Sequence, residues 1–195
     1  RQVTGVQTCA LPILQNNALT QVNVSDSAIW ELDCSGNRLT ELNVSGCGYL
    51  MNLVCGNNQL TALELADCRR LATVDCSGNQ LTALNLSATN ALLTLNCKNN
   101  RLSTLTFNST GYPIHVDCSG NQLTELNTDT MQFTRYLDCS DNQLTRLNVR
   151  NCSVVETFSC QGNKLKELNF SSSGKYRALS LTAIGGGYVS YAMER

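Results

Sequence analysis

Residues 29–49 read IWELDCSGNRLTELNVSGCGY, and most of the chain consists of variants of this 21-residue pattern. One asparagine marks the same position in each repeat: Asn37, Asn58, Asn79, Asn100, Asn121, Asn142 and Asn163. A cysteine lies three residues before each of them, and leucines lie two and five residues after it. A fixed period of this length is the signature of a solenoid, in which each repeat forms one coil stacked on the last.

The apolar positions within one repeat predict two short strands. Leu32 and Cys34 are separated by one residue, as are Leu42 and Val44, and this spacing is typical of a strand with one buried face. Residues 35–37 between them have the composition of a turn. Because the rest of the repeat is too short for an ordinary helix, we predict a mainly β structure. It should contain two short parallel strand ladders, with little or no helix and adjacent coils about 4.8 Å apart.

The pattern L-x-x-L-x-C-x-x-N-x-L resembles that of the leucine-rich repeat family, with cysteine in place of the usual leucine three residues before the asparagine. The continuation T-x-L-N-V-S is similar to a short bacterial class of 21-residue repeats, the Irreko-like, Bacteroidetes-type class. The resemblance implies a leucine-rich repeat solenoid, a right-handed superhelix of about eight coils over residues 14–184. It also implies that the first ladder forms a concave binding face.

Both ends of the chain depart from the repeat. Residues 3–13, VTGVQTCALPI, resemble the in-frame translation of a widely used sequencing adapter, so we interpret residues 1–13 as a non-native assembly artefact. The chain is then a fragment of metagenomic origin whose natural start lies upstream, and residues 14–24 end a genuine coil that is one residue short. At the other end, residues 185–195 are degenerate and begin either a cap or a linker.

Composition excludes several classes of function. The 14 basic and 15 acidic residues give no basic surface for nucleic acid. No apolar run approaches the length of about 18 residues that a membrane span requires. Resemblance to bacterial surface proteins implies a location at the cell surface or outside the cell. We predict that the chain is not an enzyme and binds no cofactor.

Seven of the 11 cysteines form the column that precedes the asparagines, from Cys34 to Cys160. We interpret this column as buried free thiols that pack as small apolar side chains. Metal binding would require convergent spacing such as C-x-x-C, which the sequence lacks, so we predict no metal site. Cys47 and Cys68 occupy the same corner of adjacent coils and are the pair best placed for a disulfide bond, with free thiols as the alternative.

Polar residues flank the buried positions of the first strand and should point outward in columns. The richest patch lies on two consecutive coils, where side chains stand about 5 Å apart: His115, Asp117, Tyr136 and Asp138. With Asp75, Asn96 and Lys98, these residues are our candidates for binding a glycan or a peptide. One alternative is hydrolysis with Asp117 and Asp138 as paired acids, although a flat strand face offers no pocket. The other is a solvated strand face without a ligand.

The sequence also places four aromatic residues at corners of the coils: Trp30, Tyr49, Tyr112 and Phe133. They either anchor a partner or fill a thin corner of the fold, and we favour the filling role. Together these observations predict a non-catalytic recognition module of a bacterial surface or secreted protein, which binds a protein or glycan on its exposed strand face. The alternatives are a structural spacer or stalk, and a targeting domain of a larger enzyme or effector.

Overall fold

The computed structural model describes residues 13–170 in full, together with the backbone of residues 2–4, 178–180 and 188–190. The strands in chain order are β1 (Gln2–Thr4), β2 (Gln21–Asn23), β3 (Glu31–Asp33), β4 (Glu41–Asn43), β5 (Asn52–Val54), β6 (Thr73–Asp75), β7 (Ala83–Leu86), β8 (Thr94–Asn96), β9 (Thr104–Phe107), β10 (His115–Asp117), β11 (Tyr136–Asp138), β12 (Arg146–Val149), β13 (Thr157–Ser159), β14 (Glu167–Phe170), β15 (Ala178–Ser180) and β16 (Tyr188–Ser190). The described residues form no helix, and so none that could cross a membrane.

One side of the solenoid is an uninterrupted eight-stranded sheet, the first sheet, in the order β3-β5-β6-β8-β10-β11-β13-β15. Neighbouring strands are parallel and the register is one repeat, so that Leu32 is aligned with Leu53 and Val116 with Leu137. Each position of the repeat therefore forms a straight column across the sheet. The predicted parallel β-solenoid is confirmed for the described residues.

The second ladder is not continuous but is divided into three sheets: β1-β2-β4, β7-β9 and β12-β14-β16. Residues 62–65 and 125–128, at the equivalent positions of two other coils, form no strand. Strand pairing is thus continuous on one side of the solenoid only. We call the side of the first sheet the inner side and the side of the interrupted second ladder the outer side.

The short N-terminal coil is confirmed by the register. β2 is aligned with β4 at a separation of 20 residues, one fewer than between neighbouring strands of the later coils. The Asn17 side chain donates hydrogen bonds to the carbonyl oxygens of Leu14 and Gln15, as the later asparagines do in their own turns.

β1 pairs with β2 in parallel. Apart from β1 and Ile13, the segment predicted to be an artefact lies outside the described residues, as do residues 185–195 apart from β16.

The core consists of the apolar positions predicted from the repeat. Leu32, Cys34, Leu39 and Val44 are buried, and Leu42 packs against them with part of its surface exposed. The equivalent side chains of the later coils belong to the same cluster, which makes one continuous apolar spine along the solenoid. Burying one such leucine side chain contributes roughly 1.5–3 kcal/mol to the free energy of unfolding, relative to leaving it in water.

The asparagine column joins each coil to the one before it. Asn100 Nδ2 donates hydrogen bonds to the carbonyl oxygen of Cys97 in its own coil and to that of Cys76 in the preceding coil, both at 3.0 Å. Its Oδ1 accepts a hydrogen bond from the backbone N–H of Leu81, also in the preceding coil, at 3.0 Å. The same bonds recur from Asn37 to Asn163. The asparagines therefore point inward, and no buried polar side-chain atom of the described residues lacks a partner.

A second column, immediately before the asparagines, alternates between glycine and Asn or Asp, which the sequence analysis missed. Its members all have positive φ: Asn16, Gly36, Asn57, Gly78, Asn99, Gly120, Asp141 and Gly162. A Cβ added to Gly78 would lie 2.6 Å from Oδ1 of Asn57 in the preceding coil. Because the side chain of one coil occupies the space that a Cβ of the next would need, glycine returns in every second coil.

All ten cysteines among the described residues are buried free thiols, as predicted for the main column. Burial, and to a smaller extent the charge of Asp75, raises the pKa of the Cys76 thiol from 9.0 to about 12. Cys47 and Cys68, the pair best placed for a disulfide bond, are free thiols as well. The Cys47 thiol donates a hydrogen bond to the Val24 carbonyl at 3.0 Å, and the Cys68 thiol contacts the Val44 carbonyl at 3.5 Å. Each thiol thus points at the backbone of the preceding coil and not at the other thiol.

The alternating column predicts a coupling between two substitutions. Gly78→Ala should destabilise the protein by roughly 2 kcal/mol, since an L-residue in the left-handed region costs about 1–2 kcal/mol and the new Cβ meets Asn57. Adding Asn57→Gly should recover part of that loss, because it removes the contacting side chain. Denaturant unfolding of both single variants and the double variant measures the coupling.

Gly48→Ala is the matched control, because φ is not positive there and the nearest atom to an added Cβ is the Asp67 carbonyl oxygen at 4.0 Å. Its stability should stay within about 0.5 kcal/mol of the parent. If the effects of Gly78→Ala and Asn57→Gly simply add, the steric explanation of the alternation is wrong.

Candidate functional site

All seven residues predicted to bind a ligand lie on or at the edge of the first sheet. β6, β8, β10 and β11 are consecutive strands, and their register aligns one row of four polar residues: Asp75, Asn96, Asp117 and Asp138. His115 and Tyr136 are aligned with each other in β10 and β11, and Lys98 follows β8 by two residues. We call this surface the candidate face.

The rings of His115 and Tyr136 stack on each other. Their centroids are 4.1 Å apart and their planes differ by 2°. Both side chains are partly buried, and adjacent parallel strands hold them at about the strand spacing. The stack therefore fixes the orientation of both rings beside the row of polar residues.

The aspartates of this row hold the turns that follow their strands. Oδ1 of Asp117 accepts hydrogen bonds from the backbone N–H of Ser119 at 3.1 Å and from its hydroxyl at 2.6 Å. The same two bonds recur in three other coils: Asp33–Ser35, Asp75–Ser77 and Asp138–Ser140. One oxygen of each carboxylate is thus used within its own coil.

The second carboxylate oxygens contact neighbouring coils. Oδ2 of Asp75 accepts a hydrogen bond from Asn96 Nδ2 at 3.1 Å, and Oδ2 of Asp117 lies 3.6 Å from Lys98 Nζ. Asp117 is only 8% exposed. The row therefore presents Asp117 and Asp138 as hydrogen-bond acceptors of the fold and not as a pair of free acids. Within residues 13–170 no cluster of His, Cys, Asp and Glu side chains has the arrangement of a metal site.

Tyr136 is the residue of the candidate face whose acidity changes most clearly. Its burial raises the pKa of the phenol, and the negative charges of Asp138 and Asp117 raise that pKa further, as does a hydrogen bond with Asp138. At neutral pH the phenol is protonated and acts as a hydrogen-bond donor.

The corner aromatics are exposed, so the filling role that we favoured for them is wrong. Ile29, Leu50 and Leu71 are fully buried and already fill the corner. Close to half or more of each aromatic side chain is left in solvent: 55% of Trp30, 52% of Tyr49, 46% of Tyr112 and 53% of Phe133.

Two clefts open on the outer side of the solenoid, where the second ladder is interrupted. One, of about 490 Å³, is lined by β4 and residues 61–64, and the other, of about 620 Å³, by β9 and residues 125–130. The repeat pattern does not predict these clefts, because residues 62–65 and 125–128 follow the same repeat as coils that do form strands.

Comparison with known proteins identifies the fold. No model of a known protein family matches the chain, and no curated protein matches it. Solved structures of leucine-rich repeat proteins are similar to it. YopM of Yersinia pestis, described as a leucine-rich effector, has a TM-score of 0.63 at 21% identity, over 85% of this chain and 54% of that one. The leucine-rich repeat protein LIC12759 of Leptospira interrogans has a TM-score of 0.57 at 20% identity, over 91% and 60%.

A third similar structure is the functional domain of InlJ from Listeria monocytogenes, which includes a cysteine ladder. Its TM-score is 0.52 at 25% identity, over 77% of this chain and 41% of that one. The chain thus spans between 41% and 60% of the length of these three proteins. Together the similarities show that this parallel β-solenoid has the leucine-rich repeat fold.

The electrostatic environment of Tyr136 can be tested by titration. In Asp138→Asn the pKa of Tyr136 should fall toward its ordinary value, because a negative charge is removed. Asn96 shows that asparagine is accepted in this row, since its Oδ1 accepts from the Lys98 N–H at 3.4 Å. NMR of ring-labelled tyrosine measures the shift, with Glu64→Gln on the outer side as control. An unchanged Tyr136 titration in Asp138→Asn would contradict the assigned contact.

Proposed function

We propose that this chain is a non-catalytic recognition module of a bacterial surface or secreted protein, and that its candidate face binds a protein or glycan partner. The observation that carries the proposal is the continuous first sheet, which presents the His115–Tyr136 stack beside a row of polar residues. Aromatic rings with polar edges supply contact area at little entropic cost, and strands that are hydrogen-bonded on both sides hold them rigidly.

The state of the nucleophilic side chains supports a binding role. A thiol must ionise to act as a nucleophile, and burial raises the pKa of Cys34 and of Cys76 to about 12. The hydroxyls of Ser119 and Ser140 donate their hydrogen bonds to aspartates of the turn, not to a histidine. These groups stabilise the fold, and the candidate face places no activated nucleophile beside His115.

Three of the similar structures come from bacteria, namely Listeria, Yersinia and Leptospira, and one of them is described as an effector. The surface or secreted location rests on the resemblance of the repeat to bacterial surface proteins. The ligand-binding residues that we assign are His115, Tyr136 and the polar row, with Lys98 beside it.

The proposal is tested by binding to arrays of glycans and of purified extracellular proteins. The parent chain should bind a defined ligand, and His115→Ala/Tyr136→Ala should weaken that binding at least about tenfold, since it removes both rings. Circular dichroism checks that the variant keeps its sheet.

Thr104→Ala/Thr106→Ala is the matched control, because both side chains are exposed on a strand of the outer side. It should bind like the parent. An equal loss of ligand binding in both double variants, or no loss in either, would show that the candidate face does not bind the ligand. If the parent chain binds nothing on either array, the result would favour the alternative function of a structural spacer or stalk.

A further inference from the structure

The large exposed apolar side chains of this solenoid are concentrated on one edge. Among the described residues there are nine, and eight of them occupy just two positions of the repeat. One position, immediately before the first-sheet strand, holds Trp30, Met51, Leu93 and Ile114. The other, two residues earlier, holds Tyr49, Tyr112, Phe133 and Val154. We call this edge the aromatic rim.

The rim is an ordered ridge because its backbone continues the hydrogen bonding of the sheet. The Met51 N–H donates to the Trp30 carbonyl oxygen, and the Ile114 N–H to that of Leu93, each at 2.8 Å. Side chains in one column therefore follow each other at about the strand spacing of 4.8 Å. The Tyr112 and Phe133 rings pack edge to face with their centroids 5.2 Å apart. Contiguous exposed apolar surface of this kind marks an interaction site on a soluble protein.

Charged groups interrupt the rim at two places. Arg70 lies over the Tyr49 ring at 5.0 Å, which separates the first part of the rim from the rest. Arg135 and Glu156 form an ion pair at 3.0 Å and occupy the position immediately before the strand on the coils of Phe133 and Val154. The longer part of the rim, beyond Arg70, comprises Leu93, Tyr112, Ile114, Phe133 and Val154. These five residues span three coil steps, or about 14 Å along the solenoid.

The surface beside the rim is acidic. The outward positions of the first-sheet strands, with the position two residues beyond each strand, carry one ammonium, Lys98, against five carboxylates: Glu31, Asp33, Asp75, Asp117 and Asp138. Of these, Asp117 and Asp138 lie on the coils of the longer part of the rim, where Arg135 adds a second positive charge beside Glu156. The whole chain has a formal charge of only −1, so negative charge is concentrated on this side. Ile114 and Asp117 are three residues apart along one strand, which separates the rim from the acidic row by about 10 Å.

We propose that the aromatic rim and the acidic row together dock a cationic amphipathic segment of a partner polypeptide. Its apolar side chains pack on the longer part of the rim, and its Lys or Arg side chains lie over the carboxylates. The spacing of about 10 Å is close to the diameter of a helix, roughly 10–12 Å, so that one helix along the solenoid axis touches both surfaces. The inference rests on the proposed recognition function and assigns its partner class.

The composition of the rim favours a polypeptide over a glycan. Three of the five residues in its longer part, Leu93, Ile114 and Val154, are aliphatic, which suits apolar side chains better than the hydroxyl-rich faces of sugars. The carboxylates that would bind sugar hydroxyls already accept hydrogen bonds from serines of their own turns. A positive side chain gains from a carboxylate through its charge even when the oxygens of that carboxylate already accept hydrogen bonds.

The probe is a short synthetic helix with leucine on one face and lysine on the other, titrated calorimetrically against the parent chain and its variants. The parent should bind it, with affinity falling as salt is raised. Phe133→Ser should weaken binding at least about tenfold, as should Asp117→Asn/Asp138→Asn. Leu93→Ser, at a separate exposed position of the rim, repeats the apolar test should Phe133→Ser fail to fold.

Matched controls separate docking from general attraction. Glu64→Gln/Glu125→Gln removes two carboxylates from the outer side and should leave binding unchanged. A peptide with glutamate in place of lysine should not bind. Equal affinity of parent, rim and acidic-row variants for the lysine peptide would overturn the inference, as would equal binding of the glutamate peptide. If a glycan binds through His115 and Tyr136 and the lysine peptide does not, the recognition function stands and the inference falls.

Discussion

The structure depends on one set of hydrogen bonds, those of the asparagine that recurs in each coil. A turn that is buried in a solenoid must find partners for its own backbone groups, and water cannot supply them. Asn100 satisfies its own turn through the Cys97 carbonyl, and the preceding coil through the Cys76 carbonyl and the Leu81 N–H. Because each asparagine bonds two coils, it fixes their separation at the strand spacing. The thiol column beside it is buried as a consequence.

The continuity of strand pairing decides where the surfaces lie. Pairing is unbroken along the first sheet, whereas the second ladder is interrupted at residues 62–65 and 125–128. The inner side is therefore one continuous sheet, and the outer side consists of short sheets separated by clefts. The aromatic rim forms where the chain enters the first sheet. It follows that the surfaces proposed for recognition are built on the side of the molecule whose strands are continuously paired.

The sequence predicted the fold because one repeat encodes both the strand positions and the turn. It also placed His115, Tyr136 and the aspartate row on one face, since parallel register follows from a constant period. The recurring Asp-x-Ser pattern indicates that each aspartate accepts hydrogen bonds from the serine of its own turn. The prediction that the aspartates form an outward ligand-binding row did not take this pattern into account. The alternation of glycine with asparagine has a period of two coils and becomes intelligible only when the left-handed turns are stacked. Neither the ladder breaks nor the direction of the Cys47 thiol has a signature in the repeat, because both depend on how whole coils pack.

The most direct test of this account compares two asparagines by denaturant unfolding. Asn100→Ala leaves the buried N–H of Leu81 without its partner and removes one of the two asparagine hydrogen bonds at each of the Cys97 and Cys76 carbonyl oxygens, and should cost at least about 2 kcal/mol. Asn85→Ala removes an exposed side chain whose Oδ1 accepts only from the Ser87 N–H of its own turn, and should cost about 1 kcal/mol or less. The account predicts a clear difference, accompanied by faster amide exchange at Leu81 in Asn100→Ala. Equal losses of stability in the two variants would show that the asparagine column does not hold the coils together.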